Sequence, residues 1–247
     1  MIRVQQDFQD RVLEIEAYFD FITRLDTQQT LLVNSDKVTP AYTMAQRDDL
    51  HRTLRASAFL LIYNLMESTV SNAVEAIFDE LQSQGVAFDD CSEKIRNVVL
   101  SNLKKLDVKG ILPQLSVLAT DVITKTFRKE RTFSGNVDAQ EIRDVAKLYG
   151  FDHPNPQQVR QLAANRNFMS PLVGGRLNDD GSTLVIVKHR RNNLAHGSTS
   201  FAEVGRDFTN DGVIQIKCEV ISYLEAMLGN VADYINQQHY RSVVGRP

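Results

Sequence analysis

Apolar positions return at three- and four-residue steps through most of this chain. Val4, Phe8, Val12, Ile15, Phe19 and Ile22 set the rhythm at the start, with charged residues between them. That is the period of an amphipathic helix, one stripe for a core and the rest for water. The stretch NSDKVTP at 34–40 interrupts it with turn-forming residues and a proline. A longer helix is predicted from about 48 to 84, with Phe59, Ile62, Met66, Ala73 and Ile77 on one face. Acidic residues open it, and Gly85 stands where a C-terminal cap belongs. Its length suits the spine of a bundle.

The middle, about 86–180, is less regular. CSEKIRNVVLSNLKKL predicts a helix with Ile95, Val98 or Val99, and Leu103 facing inward. QLSVLATDVITKTF predicts another, against the grain of its β-branched residues. In SGNVDAQEIRDVAKLYGF, Asp138 is placed to cap a helix, Glu141 follows in capping-box position, and Gly150 is the stop. DHPNPQQVRQLAANRNF comes next, proline-punctuated at its start, and then GGRLNDDGS, the most loop-like stretch of the chain.

The last third returns to helix. STLVIVKHRRNNLAHG is bounded by Ser182 or Thr183 and by Gly197. Its TLVIV segment would suit a strand by propensity, but its continuation into RRNNLAHG favours helix. VIQIKCEVISYLEAMLGNVADYINQQ closes the chain as a long helix. The expected class is therefore all-α: a helical bundle forming one domain over 1–247, with a helical insert at about 86–180.

Composition narrows the setting. The chain is 43% hydrophobic and 24% charged, as in a soluble globular protein, and its formal net charge of -3 gives no global attraction to nucleic acid. Binding of that kind would need a local basic patch. Cys91 and Cys218 are too few for a disulfide framework or a zinc cage and suit a reducing cytoplasm. The N-terminus, charged from its third residue, lacks the apolar core of a signal peptide, and the longest apolar run, AFLLIY, is far below the roughly 18 residues of a membrane span. No phosphate loop, paired-cysteine site or His-Glu-x-x-His motif is present, and the histidines are dispersed, so neither a metal nor a cofactor is expected.

The stretch RNNLAHG, 191–197, is the exception. It sets a fixed cation, Arg191, five residues before a titratable imidazole, His196. On an ideal helix five steps turn about 500 degrees, leaving the two roughly 140 degrees apart. Two readings follow. A cation in the last turn complements the helix dipole and a glycine ends the helix; alternatively the pair serves phosphate chemistry.

RNNLAHG resembles the signature of the HEPN superfamily (higher eukaryotes and prokaryotes nucleotide-binding): an arginine, a polar residue, three more positions, then a histidine. Arg191, Asn192 and His196 fill those places. LVIVKHR upstream and HGSTSF downstream look like HEPN nucleases of bacterial defence and toxin–antitoxin loci. LRASAFLLIYNLMESTV is similar to their long second helix, with an acidic residue at Glu67, and FSGNVDAQEIRDVAKLYGF resembles a segment of related proteins. The resemblance implies a HEPN-like bundle and a metal-independent ribonuclease in which Arg191, His196 and Asn192 are catalytic. It also implies an RNA substrate, a homodimer with a composite cleft, and regulation by an antitoxin or defence-system partner.

The residue chemistry suits that expectation. Histidine exchanges protons near neutral pH, and a guanidinium that never deprotonates stabilises a phosphorane. Asn192 would orient the histidine or touch the ribose, Lys188 and Arg190 would hold flanking phosphates, and Glu67 would pair with Arg191. The tyrosines read as packing residues. Some HEPN toxins are silenced by adenylylation of a tyrosine two residues after the histidine; Ser198 stands there, so that control is not expected. The alternative is an inactive HEPN-fold module that binds a protein or nucleotide through the same cleft.

Overall fold

A computed structural model describes residues 1–27, 42–103, 136–167 and 177–242. Eight helices occur among them: α1 (Ile2–Asp26), α2 (Met44–Ser83), α3 (Glu93–Leu103), α4 (Ala139–Tyr149), α5 (Pro156–Asn165), α6 (Ser182–Ala195), α7 (Phe201–Arg206) and α8 (Asn210–Asn236). The segments NSDKVTP and QLSVLATDVITKTF lie outside the described residues.

The N-terminal stripe folds as its period requires, with Phe8, Val12, Ile15, Phe19, Ile22 and Leu25 of α1 buried. At 40 residues, α2 is about 60 Å long. It begins a turn earlier than the acidic pair suggests, because Thr43 and Gln46 close a capping box at its head, leaving Asp48 and Asp49 in the second turn. From Ala56 to Leu81 it buries residues on nearly every side. It ends in a Schellman turn at Gly85, whose φ is +57°. Helices α1, α6, α7 and α8 all pack on α2, and α8 in turn packs on α1, α5 and α6. Helices α3 and α4 pack against one another, α4 reaches α6, and both contribute to the same apolar core.

Three features fasten α6. At its head, Thr183 donates to the buried carboxylate of Glu219 on α8, which also accepts from the Asn178 N–H at 2.8 Å and Gln215 Nε2 at 2.9 Å. Leu184, Val187 and Leu194 sink into the core. At its tail, Gly197 adopts φ +68°, the Gly197 N–H donates to the Leu194 carbonyl at 3.2 Å and the Ser198 N–H to that of Asn193 at 2.9 Å. The strand suggested by TLVIV does not form, because helix geometry buries Leu184 and Val187 and leaves Val185 and Ile186 outside.

Beyond that tail, α7 crosses α2 with almost no clearance: a Cβ on Gly205 would lie 1.8 Å from the Arg52 carbonyl oxygen. Only glycine permits this approach, and it sets where Asp207 and Phe208 meet α6.

Candidate active site

Arg191 lies on the inner side of α6. Its guanidinium stands 4.6 Å over the ring centroid of Tyr63 on α2, and Nη1 donates to Asn192 Oδ1 at 2.9 Å. Such a stack contributes on the order of 1 kcal/mol and fixes the plane of the fork. Tyr63 is itself immobilised, fully buried and accepting the Val137 N–H at 3.0 Å. Burial pushes the Tyr63 phenol up; the Val137 N–H opposes this, the Glu67 carboxylate adds to it and Arg191 works against it. The phenol stays protonated at neutral pH.

His196 occupies the opposite side, at the C-cap, where its own N–H donates to the Asn192 carbonyl at 3.0 Å. Its imidazole is exposed, without a hydrogen-bond partner among the described residues. Along the same outward face lie Val185, Ile186 and His189, with Val185 39% and Ile186 41% exposed. These two, His189, Arg190 and Asn193 line a shallow depression of about 310 Å³.

The other expected residues take more specific places. Asn192 braces the arginine with its side-chain oxygen rather than the histidine. No ion pair joins Glu67 to Arg191 among the described residues; Glu67 sits one turn beyond Tyr63 and acts on its phenol. Lys188 is tied to Asp138, the residue that caps α4 by accepting the Glu141 N–H at 2.9 Å. Burial works to raise the Asp138 carboxyl, but the bonds from Lys188 and the Glu141 N–H outweigh it and hold the group below the usual range. Arg190 meets Asp207 at 3.1 Å and lies over the Phe208 ring at 5.2 Å. Lys188 and Arg190 are therefore committed to carboxylates of the protein itself, and they fasten α4 and the α7–α8 junction.

The MAE_28990-like HEPN family matches residues 3–240. This chain belongs to it. No curated protein and no solved structure gives a match. At the level of the superfamily, membership supports an RNase-like function, and HEPN domains commonly act on RNA and often dimerise. No described helix is long and apolar enough to cross a membrane.

In this HEPN chain the arginine is oriented before any ligand arrives, whereas the histidine is displayed to solvent. The sequence did not single out Tyr63 as part of the site. Its signal was a spacing: Tyr63 precedes Glu67 by four residues, one turn of α2, and so shares its face. Asp207 left no comparable signal, since it follows Arg190 by seventeen residues and meets it only because α7 folds back.

Proposed function

We propose that this HEPN protein is a metal-independent endoribonuclease of a cytoplasmic toxin–antitoxin or antiphage system, acting as a homodimer. The observation that carries the reading is the division of the motif across α6. Arg191 is braced inward on Tyr63, while His196 stands outward on the helix that also exposes Val185 and Ile186. One chain offers one imidazole to a bound phosphate. Two chains related by a two-fold axis, joined along that apolar strip, would offer two.

The chemistry then follows. The 2′-hydroxyl oxygen of a ribose attacks the adjacent phosphorus. One His196 takes the hydroxyl proton, the P–O5′ bond breaks, and the second His196 protonates the departing 5′ oxygen. The products are a 2′,3′-cyclic phosphate and a 5′-hydroxyl. Arg191, half-exposed and always charged, stabilises the phosphorane oxygens.

The test is incubation of wild-type and His196→Ala protein with total bacterial RNA in EDTA, followed by end-group analysis. Cyclic-phosphate and 5′-hydroxyl ends from the wild type alone support the reading; equal cutting by both proteins overturns it. A second reading, an inactive HEPN module that binds a partner, draws support from the carboxylate partners of Lys188 and Arg190. It predicts well-folded wild-type protein that binds RNA or protein and releases no new ends.

A further inference from the structure

The exposed N-terminal turns of α2 carry a second cluster of cations, distant from RNNLAHG in sequence. Arg47, His51, Arg52 and Arg55, with Asp26 and Asp48, line a pocket of about 420 Å³. A period of three and four residues brings Arg47, His51 and Arg55 onto one side of the helix. Counter-charges cover only part of the cluster. Arg52 reaches Asp49 at 3.4 Å and His51 Nδ1 lies 3.5 Å from Asp26. Among the described residues, Arg55 is held by neutral acceptors, the Gly205 carbonyl at 2.9 Å and Asn210 Oδ1 at 3.4 Å. Its fork is thus fixed in direction with its charge unspent. The guanidinium of Arg47, a half-buried residue, has no hydrogen bond or ion pair among the described residues.

We propose that this pocket is a phosphate site, and that it holds the backbone of the RNA away from the point of cleavage. Three guanidinium groups and an imidazole gather there, and among the described residues neither Arg47 nor Arg55 has an ion pair with the nearby Asp26, Asp48 or Asp49. Guanidinium forks match phosphate oxygens, and a neutral-acceptor brace leaves the Arg55 charge for a ligand. The same work cannot be assigned to Lys188 and Arg190 without first breaking their carboxylate contacts. Arg55 precedes Tyr63 by eight residues and Arg47 by sixteen, about 12 and 24 Å along α2. At about 3.4 Å per nucleotide of stacked strand, that is roughly four to seven nucleotides.

This inference rests on the reading of the chain as an RNA-acting protein, so its test is made without cleavage. Binding of a fluorescent single-stranded RNA of about 20 nucleotides is measured by anisotropy against salt, in His196→Ala protein with Arg47 intact, Arg47→Lys or Arg47→Glu. Inorganic phosphate is titrated separately against thermal unfolding of the same proteins, which also reports folding. The expected result is that Arg47→Glu weakens RNA binding about tenfold at low salt and lowers the slope of log affinity against log salt by about one, while Arg47→Lys keeps both near the parent. Protection by phosphate that Arg47→Glu abolishes, with RNA affinity unchanged, would keep a phosphate site but assign it to a free ligand. RNA affinity and phosphate protection both unchanged in a folded Arg47→Glu protein would overturn it. A wild type that binds RNA through Arg47 yet never cuts would leave this site standing and remove the nuclease reading.

Discussion

The two faces of α6 carry the two halves of one motif and treat them oppositely. Inward, every cation has a partner: Arg191 rests on Tyr63, Lys188 on Asp138, and Arg190 on Asp207 and Phe208. Outward, His189 and His196 stand in solvent, and the same helix exposes Val185 and Ile186. The arginine is part of the folded structure and the histidine is available to whatever docks. Substitution of the outward His196 should therefore lower activity alone, while substitution of the inward Arg191 should lower stability as well.

The largest effect belongs to the outer face. His196→Ala should lower RNA cleavage by about 10²–10⁴-fold, the usual contribution of a general acid–base group, and leave the melting temperature unchanged. Arg191→Ala should lose activity comparably, about 10²–10³-fold, and also melt earlier, since it strips the Tyr63 ring of its cation. Equal melting temperatures for both variants would erase the contrast.

Tyr63 sharpens it from the inner side. Tyr63→Leu opens a cavity in the core and should cost about 2–5 kcal/mol in urea unfolding, with cleavage reduced because Arg191 loses its platform. Tyr63→Phe keeps the ring and leaves the buried Val137 N–H without its acceptor, a cost of about 1–3 kcal/mol with cleavage retained. Cleavage lost in the Phe variant at a temperature where it is fully folded would shift the role from the ring to the hydroxyl.

Val185→Asp tests what the outer face docks against. A charge in the apolar strip should weaken self-association about tenfold or more, read by sedimentation, and cleavage should become steeply dependent on protein concentration. A protein that is monomeric and active at all concentrations would refute the composite cleft.

The smallest effect is a pH dependence on the inner face. Because the Asp138 carboxyl is held below its ordinary value in the folded protein, its contribution is complete above about pH 4 and is lost as pH falls through the depressed value. Asp138→Asn should remove that acid-side loss and cost about 1 kcal/mol at neutral pH through a weaker cap and an unpaired Lys188. Parallel acid unfolding curves for the two proteins would contradict it. The thiols should be silent throughout: burial pushes Cys91 and Cys218 each up to about 12, so a thiol reagent should label neither until the protein unfolds.

The sequence by itself determined the longer helices and where several of them stop, because a 3.6-residue period, a capping side chain and a glycine act within a few residues of one another. The α1 stripe, the Asp138 cap, Gly85 and Gly197 could all be read that way. It also offered Arg191, Asn192 and His196 as a candidate motif, since they form a local pattern. Partners could not be read. Nothing near residue 191 specifies that its guanidinium will lie on a ring 128 positions earlier, or that Lys188 and Arg190 will be taken by Asp138 and Asp207. A charged side chain looks the same in sequence whether it faces water, a carboxylate or a ring. Which of these it meets is decided by the packing of α2, α4 and α7 around α6, and only tertiary structure supplies that.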